Sequence, residues 1–260
     1  MSPLDEVARQ AGAWLRGDGP LHEIVISTRI RLARNVRGFP FLPRADAETR
    51  SEIAATIQAA VRKSKGLESL VHLDMEALDE LDRSLLVERH LISKQHAESS
   101  GARLVAFDQN ESAALMVNEE DHLRMQLMRS GLQLDECWEQ ISNIDDALEE
   151  HIDYAYHEKY GYLTACPTNV GTGVRVSVML HLPALRLTNE LEKVAQAARD
   201  MKLAIRGLHG EGSEALGDFF QVSNQITLGL SEEEIIASFR EVVMPRIVEY
   251  EKAARGALLK

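Results

Sequence analysis

The chain has 260 residues and is 45% apolar, which is enough for a substantial core in one large domain or two ordinary ones. Its 29 basic and 41 acidic residues give a net charge of -12. That balance argues against broad binding to nucleic acid or to an anionic membrane, because both need a basic surface. Any anion site must therefore be local. Arginine outnumbers lysine 21 to 8, and its planar guanidinium suits phosphate and carboxylate.

The two cysteines, Cys137 and Cys166, are far apart and form no CxxC pair. The sequence therefore predicts neither a disulfide framework nor a zinc site, and it indicates a reducing compartment. The first residues show no export signal, and no apolar run approaches the roughly 18 residues of a membrane span. We accordingly expect a cytoplasmic protein.

Hydrophobic periodicity and turn residues predict the following elements in chain order. They are a helix over 3–14, a strand over 22–32, helices over 46–64 and 75–98, strands over 103–108, 112–118 and 122–128, a helix over 132–159, a strand over 174–182, a helix over 183–201, strands over 203–206, 217–223 and 226–229, and a last helix opened by Ser231 in a capping box with Glu234. No repeat or linker interrupts the pattern. We expect one α+β domain over residues 1–260, an antiparallel sheet flanked by helices.

The stretch from Ser27 to Asn35 reads S-T-R-I-R-L-A-R-N and sets three arginines close together in an acidic chain. On a strand, Arg29 and Arg31 point to the same face, roughly 7 Å apart. At an effective dielectric of about 20, their repulsion is on the order of 2 kcal/mol. A bound polyanion or neighbouring carboxylates would relieve it.

The common phosphate-loop, dinucleotide and zinc-protease motifs are absent from the sequence. Three further arginines instead stand at the edges of acidic or glycine-rich turns: Arg124 in N-E-E-D-H-L-R, Arg175 in C-P-T-N-V-G-T-G-V-R and Arg206 in R-G-L-H-G-E-G. A single strand arginine is usually a solvated or salt-bridged side chain, so these positions need the context of a whole motif set.

These segments together resemble the ATP:guanidino phosphotransferase family, which includes the creatine and arginine kinases. Four motifs, 27–35, 118–124, 166–175 and 206–211, occur in family order, and the resemblance covers residues 22 to 250. The variants S-T-R-I-R-L-A-R-N, P-T-N-V-G-T-G and G-E-G-S-E-A-L-G are similar to the bacterial branch that phosphorylates arginine side chains in proteins. The resemblance implies a glutamine synthetase-like catalytic domain.

On the donor side, the resemblance implies a ring of arginines around the phosphates of ATP with Mg²⁺, and His90 against the adenine. Fixed positive charge of this kind is what phosphoryl transfer requires. The nucleotide-binding residues implied in this way are Ser27, Thr28, Arg29, Ile30, Arg31, His90, Arg124, Arg175, Val176, Ser177, Val178, Met179, Arg206, Gly207, Leu208, His209, Gly210 and Glu211. Arg34 and Arg37 are expected to be structural.

On the acceptor side, the resemblance implies that Glu120 and Glu211 grip the guanidinium and that one of them removes its proton. A guanidinium needs such help, because it stays protonated and is a poor nucleophile. Cys166 would lie beside it as a thiolate, which neighbouring cations stabilise. Without the motif, Glu120 would be part of a charged turn and Cys166 a small buried side chain.

Three functions remain open from the sequence. The first is a protein-arginine kinase, the second a kinase of free arginine or another small guanidino compound, and the third a silent adaptor that binds nucleotide or clients. The phosphagen kinases carry a helical domain ahead of the arginine strand, whereas about 22 residues precede it here. The protein-specific relatives continue beyond the last helix into a phosphoarginine-binding domain. The expected partners are proteins with exposed arginines, an activator protein, a stress-response repressor and a Clp-type protease system.

Overall fold

The computed structural model describes residues 4, 7–9, 11–207 and 216–259, and its centre is an eight-stranded antiparallel sheet. The strands are β1 (Val25–Arg34), β2 (Val71–Asp74), β3 (Leu104–Phe107), β4 (Ala113–Val117), β5 (Leu123–Ser130), β6 (Tyr156–His157), β7 (Gly161–Tyr162), β8 (Val174–His181), β9 (Leu203–Gly207) and β10 (Phe219–Asn224). The order across the sheet is β2-β3-β4-β5-β1-β8-β10-β9, and β6 and β7 form a separate hairpin.

Helices flank the sheet. They are α1 (Ala47–Lys63), α2 (Glu80–Glu88), α3 (Lys94–Glu98), α4 (Leu134–Glu149), α5 (Pro183–Leu187), α6 (Leu191–Asp200), α7 (Glu232–Ser238) and α8 (Met244–Leu258), with a π-helical turn over Phe239–Val243 between the last two. The predicted α+β class is confirmed. The predicted capping box is also present, since Ser231 and Glu234 exchange both hydrogen bonds at the start of α7.

The two faces of the sheet differ in chemistry because the side chains of β1 alternate. Ile30 and Leu32 are fully buried in the core that also contains Ile141 of α4. Arg29 and Arg31 point to the opposite face, as their spacing predicts. Burial of apolar side chains on one face thus holds a cluster of arginines on the other.

Arg34, at the end of β1, lies on the core face and is a structural residue, as predicted. Its Nε and Nη2 donate to Asp145 of α4 over 3.0 and 2.6 Å, and its Nη1 donates to the carbonyls of Ala33 and Thr172. The ring of Tyr162 lies 3.5 Å from the guanidinium carbon. Every side of this buried cation is therefore satisfied.

Several predicted elements have different limits in the structure. The helix predicted over 132–159 ends at Glu149, because the tyrosines that follow pack edge to face in the β6–β7 hairpin. The helix predicted over 75–98 is two short helices, separated where His90 takes a φ of 58° and Ser93 caps α3. The helix predicted over 183–201 is likewise divided, at Asn189, which has a φ of 58°.

Two further predictions are wrong in part. The strand predicted over 226–229 is irregular backbone, and the chain there is bound through Thr227, whose carbonyl accepts from the N–H of Thr172. The helix predicted over 3–14 lies partly outside the described residues, and Ala13–Leu15 form a 3-10 turn. Among the described residues, no helix combines the length and apolar character needed to cross a membrane.

The Arg34–Asp145 pair gives a test of stability. Asp145→Ala leaves a buried guanidinium without its carboxylate, so we expect the free energy of unfolding to fall by about 3 kcal/mol. Asp135→Ala is the matched control, since Asp135 pairs with Arg240 at an exposed position and should cost less than about 1 kcal/mol. Urea denaturation measures both variants, and equal losses would contradict the role of the buried pair.

Candidate active site

Four strands carry the predicted arginines on the open face of the sheet. Arg31 on β1 lies opposite Arg175 on β8, and Arg29 lies opposite Ser177. On the other side of β1, Arg124 of β5 pairs with Ala33. Arg206 on β9 pairs with Gln221 of β10, farther along the sheet. Residues distant in sequence become neighbours because these antiparallel strands are adjacent.

A cavity of about 200 Å³ lies among these side chains. Arg31, Arg124 and Arg175 line it together with Glu120 and Cys166. The structure thus gathers three predicted phosphate ligands and two predicted acceptor residues around one space. Arg29, Arg206 and His90 do not line it.

Arg29 is held close to the cavity by two hydrogen bonds. Its Nε donates to Ser177 Oγ over 3.3 Å, and its Nη2 donates to Gln221 Oε1 over 2.9 Å. Gln221 is a positioning residue that sequence reasoning missed. Its only sequence signal is a polar position in the strand F-F-Q-V-S-N, and the contact depends on β10 lying next to β8.

Several positively charged side chains lie close together on this face of the sheet. Burial, followed by the charges of Arg124 and Arg175, lowers the pKa of Arg29 to about 10. Burial and then the charges of Arg29, Arg124 and Arg175 lower the pKa of Arg31 well below its usual value. No partner among the described residues reaches the buried Nε of Arg31. A polyanion bound at this face would therefore offset the repulsion among the arginines.

Arg124 stands between two consecutive glutamates. Its Nη1 is 2.8 Å from Glu119 Oε2 and its Nη2 is 2.9 Å from Glu120 Oε2. The Glu119 side chain is 1% exposed and also accepts from Ser93 Oγ over 2.6 Å, whereas the Glu120 side chain is 34% exposed. Glu119 therefore anchors Arg124, a role that sequence reasoning missed, and Glu120 is the one that faces the cavity.

Asp121 connects the glutamate turn to the segment that carries Cys166. Its Oδ1 accepts from Asn35 Nδ2 and from the backbone N–H of Ala165, each over 2.7 Å. Asp121 is fully buried. One carboxylate oxygen thus fixes Glu120 and Cys166 relative to each other.

The thiol of Cys166 is half-buried at the cavity. Its Sγ lies 3.0 Å from Thr168 Oγ1, and its carbonyl accepts from Thr164 Oγ1 over 2.7 Å. These contacts and the 3-10 turn over Pro167–Asn169 hold the cysteine at the start of a short segment, 166–173, that forms one wall of the cavity.

His90 does not line the cavity. Its ring packs edge to face against Trp14 with centroids 4.8 Å apart, and its carbonyl accepts from Gln126 Nε2. Burial, together with the charge of Arg29, lowers the pKa of His90 to about 4. The ring is therefore neutral at physiological pH, as stacking on a nucleobase would favour.

The contiguous runs predicted to line the nucleotide divide between the two faces. Ser27, Ser177 and Met179 share the open face with the arginines. The side chains of Thr28, Ile30, Val176 and Val178 are buried in the opposite face, so only their backbone is near the site, because strand side chains alternate. Gly207 ends β9. Leu208, His209, Gly210 and Glu211 lie outside the described residues.

Comparisons with known proteins identify the family of this chain. Residues 52–254 match the family model described as ATP:guanido phosphotransferase, C-terminal catalytic domain. The chain belongs to this family. It is 47% identical over 260 residues to the protein-arginine kinase of Halothermothrix orenii, covering all of this chain and 74% of the relative. It is 45% identical over 263 residues to the protein-arginine kinase of Desulforamulus reducens, covering 73% of that relative.

Solved structures of the family share the fold. The crystal structure of lombricine kinase superposes with a TM-score of 0.82 at 24% identity, over 96% of this chain and 71% of that one. The duplicated taurocyamine kinase from Schistosoma mansoni, with bound components of a transition-state analogue, gives a TM-score of 0.81 at 26% identity, over 95% of this chain and 35% of that one. The predicted family and fold are confirmed, and the chain is an ATP-dependent guanidino phosphotransferase.

The crowding of arginines predicts opposite effects on stability and on nucleotide binding. Arg31→Met keeps most of the apolar stem and removes one repelling charge, so the empty protein should gain roughly 1 kcal/mol of stability. The stabilisation that ATP confers should shrink, because a phosphate contact is lost. Urea denaturation with and without ATP measures both effects.

Arg37→Met is the control, since Arg37 is exposed and outside the cluster. Arg37→Met should change neither the stability of the empty protein nor the stabilisation that ATP confers. A destabilised Arg31→Met protein that ATP still stabilises fully would contradict this view of the site.

Proposed function

We propose that this chain transfers the γ-phosphoryl group of ATP to the guanidinium of arginine side chains in proteins. The observation that carries the proposal is the cavity in which Arg31, Arg124 and Arg175 face Glu120 and Cys166. It offers positive charge to the donor and a carboxylate and a thiol to the acceptor. The identity of 47% and 45% to two protein-arginine kinases supports protein as the acceptor.

On the donor side, we propose that Arg29, Arg31, Arg124, Arg175 and Arg206 hold the phosphates of ATP. The lowered pKa values of Arg29, Arg31 and Arg175 show that burial and mutual charge disfavour their charged forms in the empty protein. Bound phosphates would reverse that penalty. The arginines would then stabilise the charge on the equatorial oxygens of the transferred group.

Magnesium would enter with ATP as part of the substrate. Among the described residues, no group of three or more His, Cys, Asp or Glu side chains is placed to hold a metal. Mg²⁺ commonly binds through substrate phosphates and water with few protein ligands. The ion would neutralise phosphate charge alongside the arginines.

On the acceptor side, we propose that Glu120 and Glu211 grip the guanidinium and that one of them accepts its proton as the N–P bond forms. Glu120 already holds a guanidinium, that of Arg124, over 2.9 Å, so its carboxylate has the geometry for the task. Cys166 would lie against the acceptor and orient it. The leaving group is ADP, and the proton remains on the carboxylate until solvent removes it.

The same resemblance extends to cellular context. We propose a cytoplasmic enzyme in which the chain forms one catalytic domain. Its substrates would be proteins with exposed arginines, and its partners an activator protein, a stress-response repressor and a Clp-type protease system. Neither nucleic acid nor a membrane would be a partner, which agrees with the net charge of -12.

One experiment separates the candidate functions. The chain is incubated with γ-labelled ATP and either a protein client or free arginine, and the product is tested for lability in acid. We expect acid-labile label on the protein, because the N–P bond of a phosphoguanidine hydrolyses in acid. Label on free arginine alone would favour a small-molecule kinase, and no transfer would favour a silent adaptor.

The glutamate roles have their own test. Glu120→Gln and Glu211→Gln should each reduce transfer at least about a hundredfold, since an amide can neither pair with the guanidinium as a carboxylate does nor take its proton. ATP binding should change little, as measured by titration calorimetry. Glu158→Gln, at an exposed position, is the control. Full turnover by either site variant would remove that glutamate from the catalytic role.

A further inference from the structure

An exposed apolar patch lies beside the cavity, on the far side of segment 166–173. Tyr156 and Tyr160 of the β6–β7 hairpin and Leu228 and Leu230 of the chain before α7 are each between 43% and 51% exposed. We call these four residues the aromatic patch. They surround a hollow of about 240 Å³ that Glu232 also lines.

The aromatic patch and the cavity share one wall. Thr168, Asn169 and Gly173 line the cavity, while Gly171 and Thr172 of the same segment line the hollow. Because Thr172 and Gly173 are adjacent in the chain, the linings of the two spaces meet along one short segment. An extended polypeptide rises about 3.3 Å per residue, so a few residues are long enough to cross such a segment.

Segment 166–173 is held firmly between the two spaces. Thr227 Oγ1 donates to the carbonyls of Thr168 and Val170 over 3.0 and 2.7 Å. Gly171 exchanges both backbone hydrogen bonds with Tyr162, and a Cβ at Gly171 would come within 2.0 Å of the Thr227 carbonyl oxygen. The spacing of cavity and patch is therefore fixed before any ligand binds, which lowers the cost of binding.

We infer that the aromatic patch binds an apolar side chain that lies a few residues from the acceptor arginine in an extended polypeptide. The inference rests on the proposed function, because the arginine must occupy the cavity. Four half-exposed apolar side chains around one hollow are a surface that water solvates poorly. Lys159 and Glu232 line the same hollow with opposite charges, so its selectivity is for apolar character rather than for charge.

The patch would therefore select extended or unfolded chains as substrates. A folded protein keeps most of its large apolar side chains inside, away from an exposed arginine. An unfolded chain presents a large apolar side chain and an arginine together. The enzyme would thereby discriminate unfolded from folded substrates through one apolar contact beside the acceptor arginine.

The test compares peptides of equal length that contain one arginine flanked by glycine and serine. Two of them carry leucine three residues before or after the arginine, and the third carries serine there. The wild-type chain should have a KM roughly tenfold lower for at least one leucine peptide than for the serine peptide, with similar kcat. Tyr160→Ser combined with Leu230→Ser should raise that KM to the value of the serine peptide.

The controls separate this inference from the proposed function. Tyr250→Ser removes a tyrosine that is 53% exposed on α8, and it should leave all KM values unchanged. The doubly substituted chain should phosphorylate the serine peptide at the wild-type rate, which shows that it is folded and active. Equal KM values for all three peptides in the wild type, with transfer intact, would overturn the inference alone. No transfer to any peptide would overturn the proposed function and the inference together.

Discussion

Mutual repulsion among buried guanidinium groups is the constraint on which the rest of this structure depends. Arg29, Arg31 and Arg175 have lowered pKa values because burial and neighbouring cations disfavour their charged forms. The sheet tolerates this arrangement because its other face is a continuous apolar core. The crowding is unfavourable in the empty protein, and on the proposed function the phosphates of ATP would offset the repulsion. Apolar packing on one face of β1 therefore offsets the unfavourable charge clustered on the other face.

Buried polar contacts set the relative positions of the donor and acceptor sides. Asp121 joins the turn that carries Glu120 to the chain just before Cys166, while Asn35, at the end of the arginine strand, donates to the same oxygen. Three segments far apart in sequence thus meet at one carboxylate. Phosphoryl transfer is sensitive to such positioning, since its barrier falls mainly through alignment and charge. These contacts are as much a part of the site as the residues that face the cavity.

The sequence predicted what depends on local pattern and missed what depends on neighbours across the sheet. Alternation along β1 correctly placed Arg29 and Arg31 on one face, and the meander of β3, β4 and β5 follows from short apolar runs. Helix ends were the weakest part, since residues 150–159 continue a helical pattern but are drawn into a hairpin by tyrosine packing. Gln221 could not be found, because its contact with Arg29 requires knowing that β10 lies beyond β8. The nucleotide-lining runs were assigned as contiguous segments by resemblance, whereas a strand offers only every second side chain.

The double pairing of Arg124 has a consequence for how the acceptor enters. In the empty protein, Glu120 is occupied by a guanidinium that belongs to the enzyme itself, and on the proposed mechanism an incoming arginine asks for the same carboxylate. Arg124 can release Glu120 because it keeps its ion pair with the buried Glu119 when the acceptor takes its place. One guanidinium replaces another of the same shape and charge, so the Glu120 carboxylate accepts hydrogen bonds from nitrogen throughout. On the proposed mechanism, Arg124 thus occupies the place of the acceptor in the empty protein, and the acceptor would bind by competition with it.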